Sequence, residues 1–416
     1  MEGFGLLGET LSHSYSPEIH AALGDYEYRL YEKSPEELRD FLQNGIWQGL
    51  NVTIPYKTAV IPYCSELSEA ARSIGSVNTL VRRADGSLFG DNTDAYGFSE
   101  MIRVSGISVR GKKVLVLGSG GASRTAVSVL AMLGASEVVV ISRNGRDNYG
   151  NLARHKDAQI IVNTTPVGMY PKNGSAPIDL RIFPCCEGVL DIVYNPARTA
   201  LLLAAEELQI PHAGGLYMLV AQAKRSSELF TGKLICDEFI GKIEAYLSRS
   251  MQNIVLIGMP GCGKSTVGTM LAELLKRPFF DADALIVKNA GISIPEIFER
   301  YGEERFRNYE TEVLQELGKK SGAVIATGGG CVTRKENYPL LHQNSLIFWI
   351  RREISRLAQE GRPLSQKSSL GEMYRKRASL YAEFSDFAVE NNGSILDTSS
   401  QIQKIFEDFF KKSDRC

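Results

Sequence analysis

The sequence predicts an α/β protein built from two successive parallel-sheet assemblies, and three observations carry that prediction. Short β-branched runs alternate with amphipathic helical stretches nearly throughout the chain, the pattern of βαβ units. "KVLVLGSGGAS", residues 113–123, reads as a strand entering a glycine-rich turn that opens a helix. "NIVLIGMPGCGKST", residues 253–266, does the same with a different glycine spacing. At 416 residues the chain is long for one core and divides into two or three domains.

Taken in order, "KKVLVLG", "EVVVISR", "AQIIVN" and "GVLDIVY" read as four buried strands between residues 112 and 194. Between the first two, Ala122, Ala126, Val129, Leu130 and Leu133 line one helical face, and Gly134 can end the helix. A second series follows in "NIVLIG", "GAVIATGG" and "SLIFWI". The joint between the series, "YLSRSMQ" at 246–252, carries no low-complexity spacer and spans on the order of 20 Å. The two glycine loops are not an internal repeat, because their spacing and their sequels differ.

Composition narrows the function. A net charge of −1 without a long basic run disfavours nucleic acid and acidic membranes as partners. No run of 18 apolar residues and no signal-peptide pattern occur, so secretion and membrane spanning are disfavoured. Seven cysteines without a C-x-x-C pair, and five histidines without zinc spacing, point to free thiols in a reducing cytoplasm.

In the first half, Gly118-Ser119-Gly120-Gly121-Ala122 follows a strand and opens a helix, where glycines allow a pyrophosphate close to backbone amides. The next strand ends in Ser142-Arg143-Asn144, without the acidic residue that would hold the ribose hydroxyls of NAD. Arg143 suits a 2′-phosphate, so NADP(H) is the expected cofactor. Ahead of this fold lie polar clusters that no hydrophobic core requires: Ser14 and Ser16 on one side of an extended segment, then Asn51, Thr53 and Lys57, Asn78, Asn92 and Asp94. Singly each is ordinary turn or cap chemistry; together they suit a ligand with several hydroxyls and an anionic group. His13 reads as a residue that supports the site's contacting side chains or fixes its loop, and His20 as helix surface or packing.

In the second half, residues 258–266 match G-x-x-x-x-G-K-[ST] in full. Gly261, Cys262, Gly263 and Thr266 build the cradle, Lys264 reaches the β/γ oxygens, and Ser265 ligates magnesium. No guanine-type N-K-x-D follows, so ATP is expected. Cys262 reads as a small loop residue. "FFDADALI" puts Asp281 and Asp283 on the same side of a strand end, one for metal and one for substrate. Gly328, Gly329 and Gly330 let backbone approach a ligand, and Arg305, Arg307, Arg362 and Arg377 suit an anionic acceptor and the transferring phosphate.

These motifs carry two resemblances. "HSYSP", "NVTIPYK", "GSVNT", "DNTDAYG", "GSGGAS", "NTTPVGM" and "GLYMLVAQA" are similar, in order, to shikimate dehydrogenase over residues 1 to about 247. The resemblance implies a domain at 1–250, with a substrate part at about 1–97 and 217–247 and a Rossmann part at about 98–216. It implies that Ser14, Ser16, Thr53, Asn78, Asp94 and Gln222 hold shikimate, with Lys57 and Asp94 as the catalytic pair. Tyr194 and Met218 would lie at the substrate and nicotinamide end of the cleft. Ketone reduction needs a proton delivered as charge develops on oxygen, which Lys57 can supply and Asp94 can organise. The family more often has Asn-Arg-Thr where Ser142-Arg143-Asn144 stands, and the stretch from Arg143 to "IIVN" is short, barely enough for one helix and one strand.

"GMPGCGKST", "FFDADALI", "GEERFRNYE", "ATGGGCV", "GRPL" and "RASLYAEFSD" resemble shikimate kinase over residues 251 to about 412, implying a P-loop domain at 251–416. By that resemblance Asp283, Arg307, Gly329, Gly330 and Arg377 bind shikimate, with Arg307 and Arg377 on its carboxylate. Asp281 would hold Mg2+ through water, Asp283 would orient and deprotonate the attacking hydroxyl, and Arg362 would be a lid arginine. Arg356 and the segment around Asp397 match adenine-side positions, and the lid between Arg362 and Arg377 is short. The combined expectation is a bifunctional enzyme acting on small molecules, 3-dehydroshikimate and shikimate. A kinase carrying a silent dehydrogenase-like sensor is the alternative, and the presence of both Lys57 and Asp94 argues against it. The same pocket chemistry also accommodates quinate, although a fused kinase fits a biosynthetic role better.

Overall fold

The computed structural model of the chain describes residues 3–11, 14–357 and 370–413. Contacts between Cα atoms divide it into two units: residues 1–168, 175–194 and 204–244 form one, and residues 169–174, 195–203 and 245–416 form the other.

The first unit begins with a six-stranded mixed sheet. Its strands are β1 (Phe4–Gly8), β2 (Tyr28–Glu32), β3 (Gly49–Val52), β4 (Glu66–Leu67), β5 (Thr79–Arg82) and β6 (Leu88–Asp91), in spatial order β2-β1-β3-β5-β6-β4. Only β5 runs antiparallel to its neighbours. Helices α1 (Ser16–Leu23), α2 (Leu38–Asn44), α3 (Glu69–Ile74) and α4 (Thr93–Ser105) accompany it. Leu7, Trp47, Leu50 and Leu80 centre its core. Ser14 and Ser16 do not alternate along a strand as expected. Ser16 is the first residue of α1, and the Ser14 hydroxyl accepts its N–H at 3.2 Å, a local turn that overrides an extended path.

A parallel five-stranded sheet follows: β7 (Lys113–Leu117), β8 (Glu137–Ile141), β9 (Ile160–Asn163), β10 (Gly188–Asp191) and β11 (His212–Gly214), ordered β11-β10-β9-β7-β8. Helix α5 (Gly121–Met132) packs Ala126, Val129 and Leu130 into its core, as the periodicity requires. The expectation of four buried strands holds for β7, β9 and β10; β8 is an edge strand with Glu137 exposed and Val138 and Val140 half-buried. The short crossover after β8 contains no α-helix, only a 3-10 turn at Leu152–His155.

Helices α6 (Ala200–Glu207), α7 (Leu216–Thr231) and α8 (Glu238–Met251) follow. Helix α7 returns to α1 and α4. Gly97 makes the α4–α7 approach possible, because a Cβ there would stand 2.6 Å from the Met218 carbonyl and 3.0 Å from Gln222 Cβ. The residues read as the joint are the end of α8 and Gln252 ahead of the next strand.

The second unit is built on a parallel sheet of β12 (Asn253–Ile257), β13 (Phe279–Asp281), β14 (Val324–Ala326), β15 (Ser345–Arg351) and β16 (Phe387–Glu390), ordered β13-β14-β12-β15-β16. Helices α9 (Lys264–Leu275), α10 (Ala282–Ala290), α11 (Ile294–Gly318), α12 (Asn337–His342), α13 (Leu370–Phe384) and α14 (Ile395–Ser413) surround it. A capping box between Ser293 and Glu296 starts α11, and Gly302, at φ +79°, interrupts it. Edge strand β16 carries no strong sequence signal and was not anticipated. The expectation for Asp281 and Asp283 is also corrected. The strand ends at Asp281, whose carboxylate caps α10 by accepting from Ala284 N, so Asp283 sits in the first helical turn. Among the described residues, no helix is long and apolar enough to cross a membrane.

Candidate functional site

The chain runs from β7 to β8 on one side and reaches β9 on the other, so the loops after β7 and β9 part at a topological switch point. A cavity of about 940 Å³ opens there. Gly118–Ala122, Ser142, Arg143, Thr164 and Thr165 line it from the five-stranded sheet, and Ile54, Pro55 and Lys57 line it from the mixed sheet. Gly118 has φ +109°, and a Cβ there would meet Thr164 Oγ1 at 2.9 Å, so a side chain is excluded both by conformation and by space. Gly120 offers no side-chain cap to α5, leaving the first N–H groups for an anion. The donor set therefore fits a dinucleotide pyrophosphate. Asn144 is exposed and outside the lining, and Met218 packs on the sheet core beside α4.

Lys57, on the cavity wall, donates from Nζ to Asp94 Oδ2 at 2.6 Å. Their side chains are 24% and 13% exposed, reachable yet largely withdrawn from water. Asp94 lies in the first turn of α4, where the helix dipole favours a carboxylate. Asn78 fixes that turn, its Oδ1 accepting Thr93 N at 2.7 Å, so its amide is committed at least in part to holding the helix start. Gln222 reaches the same place from α7, its Oε1 accepting from Thr93 Oγ1 at 3.5 Å. Tyr15 meets Tyr194 edge-on at 6.1 Å, which puts Tyr194 beside the Ser14–Ser16 segment. Burial pushes the Tyr194 hydroxyl above its ordinary range. Thr53 is half-buried between β3 and the turn that carries Lys57.

Sequence reasoning missed Ser226. Its hydroxyl on α7 accepts Asn51 Nδ2 at 2.7 Å, lies 3.0 Å from both Thr79 Oγ1 and Thr93 Oγ1, and donates to Gln222 O at 3.0 Å. This buried hub ties β3, β5, α4 and α7 together, and its member Thr93 directly precedes Asp94. Only its serine at i+4 from Gln222 was visible in sequence. His20 is packing rather than surface. It is buried, stacks on Tyr28 with centroids 3.9 Å apart, and meets Tyr26 OH through Nδ1 at 2.7 Å. His13 lies outside the described residues.

In the second unit, Lys264 Nζ donates to the Gly258 and Met259 carbonyls at 3.0 and 3.1 Å, inside its own loop. Asn391 Nδ2 donates to Cys262 O at 2.7 Å and so clamps the loop from the end of β16; Cys262 itself is buried, in keeping with a small loop residue. Ser265 Oγ donates to Asp281 Oδ2 at 2.6 Å. A hydroxyl and a carboxylate beside a phosphate cradle are hard oxygen donors that fit magnesium, which in such sites takes one or two protein oxygens plus phosphates. Arg356 Nη1 donates to Asn392 O at 2.8 Å, next to that clamp. Arg362 lies outside the described residues.

The three consecutive glycines after β14 are explained by what stands against them. A Cβ on Gly328 would meet Glu310 Oε1 at 2.5 Å and Asp283 Oδ1 at 2.9 Å; one on Gly329 would strike Pro260 at 2.6 Å; one on Gly330 would strike the Arg307 guanidinium at 2.1 Å. Arg377 Nη1 donates to Gly329 O at 3.1 Å, and Tyr381 OH donates to the same carbonyl. Asp283, Arg307 and Arg377, separated in sequence, thus converge on one glycine ribbon beside the P-loop.

Glu310 was not foreseen. It is fully buried, accepts from Arg307 Nη1 at 2.7 Å, and sits three residues along the helix from it, a spacing that sequence could have flagged. Burial pushes its carboxyl above the ordinary range, with Asp283 adding to the rise, while Arg307 and Arg377 oppose it. Its Oε1 has no hydrogen-bond partner among the described residues.

Both halves of the chain resemble known proteins. Residues 6–80 match the family model described as shikimate dehydrogenase substrate binding domain, and residues 260–411 match that of shikimate kinase. A shikimate dehydrogenase (NADP(+)) of Clostridium beijerinckii is 35% identical over 250 residues, covering 55% of this chain and 92% of its own. Among solved structures, a chorismate mutase/shikimate 5-dehydrogenase fusion protein from Clostridium acetobutylicum is 35% identical at a TM-score of 0.56, over 59% of this chain and 97% of that one. A shikimate 5-dehydrogenase from Thermus thermophilus in complex with NADP(H) and shikimate is 31% identical at a TM-score of 0.54, over 59% and 99%. The chain therefore belongs to the shikimate dehydrogenase family, and it carries a shikimate kinase domain at residues 260–411.

Proposed function

We propose that this bifunctional enzyme reduces 3-dehydroshikimate to shikimate with NADPH and then phosphorylates the shikimate 3-hydroxyl with ATP and Mg2+. The observation that carries the first step is the Lys57–Asp94 contact of 2.6 Å on the wall of the glycine-loop cavity. When bound, NADPH supplies the hydride and ATP the transferable phosphoryl group. Lys57 Nζ delivers a proton to the substrate oxygen as negative charge develops there, and its positive field stabilises that charge. Asp94 holds the ammonium in place and shares its proton. Ser14, Ser16, Thr53, Asn78, Tyr194 and Gln222 bind the ring hydroxyls and carboxylate around this pair.

In the second unit Arg307 and Arg377 bind the acceptor carboxylate, and the Gly329–Gly330 backbone lets the ring come close. Asp283 orients the attacking hydroxyl and takes its proton. Lys264 leaves its loop carbonyls for the phosphate oxygens, and Ser265 and Asp281 would hold magnesium, which neutralises phosphate charge. Arg356 supports the adenine end, and Arg362 is assigned to the transferred phosphoryl.

A coupled assay from 3-dehydroshikimate tests the reading. NADPH oxidation should depend on 3-dehydroshikimate, and ADP release on shikimate. Lys57→Ala should abolish only the first and Lys264→Ala only the second. Purified chain with neither activity would sink the proposal, and kinase activity alone would reduce the first unit to a sensor.

A further inference from the structure

The crossover from β8 to β9, residues 142–159, lacks the α-helix that normally joins parallel strands. Side chains fix it instead. Asn148 Nδ2 donates to Gly145 O at 3.2 Å, and its Oδ1 accepts Gly150 N at 2.9 Å. Asn151 Oδ1 accepts Asn148 N at 2.8 Å, and its Nδ2 donates to Arg146 O at 2.9 Å. Asp147 O accepts Ser142 N at 3.2 Å, and its carboxylate accepts from His155 Nε2 at 2.9 Å. Both sides of residue 149 are therefore held by hydrogen bonds within a few residues.

The residue so held is Tyr149. It is half-buried, lines the dinucleotide cavity together with Ser142 and Arg143, and makes no hydrogen bond among the described residues. Burial raises its hydroxyl above the ordinary range, and the charge of Arg143, which lines the same cavity, works against that rise. An aromatic ring on a cavity wall that an arginine also lines, carried by a hydrogen-bonded loop and with its hydroxyl uncommitted, suits stacking on a flat heteroaromatic group. The glycine loop claims the pyrophosphate and Lys57 the reacting end, which leaves the purine for the Ser142–Tyr149 end.

We propose that Tyr149 is the adenine platform of this chain: the side-chain-bonded loop after β8 replaces the missing helix and holds the ring against the base next to Arg143. Tyr149 is then a cofactor-binding residue that acts on affinity and not on chemistry. The inference rests on the dehydrogenase reading of the cavity.

The test uses the full chain, with binding of NADPH followed by its fluorescence and of adenosine 2′,5′-bisphosphate by competition. Tyr149→Ala should weaken both by roughly tenfold or more, within the range known for base–aromatic stacking. The KM for NADPH should rise in parallel, while kcat, the KM for 3-dehydroshikimate and the kinase activity stay unchanged. Tyr149→Phe should bind both probes as the parent does. Parent-like binding by Tyr149→Ala overturns the platform, as does a Tyr149→Phe variant that loses as much as Tyr149→Ala, since the hydroxyl would then be the group at work. Failure of the parent chain to bind NADPH at all is a different result: it overturns the dinucleotide reading itself.

Discussion

A single methyl group at Gly330 probes the kinase site through its most crowded point. Gly330 has φ −110°, so alanine is conformationally allowed and only space opposes it. The added Cβ would stand 2.1, 2.3 and 2.4 Å from Arg307 Nη1, Nη2 and Cζ, whereas ordinary contact begins at 3.4 Å. The guanidinium must retreat by about 1 Å, a distance that by itself takes a good hydrogen bond out of range. Arg307 is buried and held to Glu310 at 2.7 Å and Glu303 at 3.0 Å, so it cannot yield without straining one of them. Losing one charge-assisted hydrogen bond costs about 1.5–3 kcal/mol, which predicts a shikimate KM raised about 10- to 100-fold. The assay is shikimate-dependent ADP release by Gly330→Ala, with the dehydrogenase rate of the same chain as internal control. Gly371→Ala, where no atom stands within 4 Å of the built Cβ, serves as a neutral comparison. A Gly330→Ala enzyme whose shikimate KM stays within twofold of the parent would refute the placement of Arg307 at the acceptor.

Chelation should separate the two activities: EDTA abolishes ADP release and leaves NADPH oxidation unchanged. Ser265→Ala should raise the magnesium concentration needed for half-maximal kinase rate, and an unchanged requirement would remove Ser265 from the metal site. Acid should destabilise the first unit through His20. Burial lowers its pKa from 6.5 to about 3, so the folded chain keeps it neutral while the unfolded chain protonates it below 6.5. Its contribution is constant above pH 6.5 and is lost as pH falls toward 3, at up to about 1.4 kcal/mol per pH unit. Trp47 fluorescence during urea unfolding, in a Trp349→Phe background, should show the gap between parent and His20→Gln shrinking over that window. Parallel pH profiles would exclude a buried neutral His20.

Sequence and structure divide the explanatory work along the range of the interactions involved. The P-loop, the Gly118–Ala122 turn and helix α5 were legible because a strand, its glycine turn and the following helix are specified within about 25 residues. Asp281 and Asp283 were misjudged on the same scale: a capping aspartate starts a helix one residue after the strand, and strand alternation stops applying. Ser14 and Ser16 failed for a like reason. Glu310 and Ser226 escaped notice for another. A glutamate on a charged helix and a serine on a polar one look like solvated surface until the partners that bury them are known.

What the sequence determined by itself was the kind of chemistry: two phosphate cradles, an amine and a carboxylate for reduction, and arginines for an anionic acceptor. These are properties of residue types at short spacings. The tertiary structure alone decided which of them meet. Lys57 reaches Asp94, Ser226 collects Asn51, Thr79 and Thr93, and Gly328–Gly330 stay bare because Glu310, Asp283, Pro260 and Arg307 already fill the space where side chains would stand. Such contacts join segments tens to hundreds of residues apart. They follow from close packing of whole sheets and helices, which no local spacing in the chain encodes.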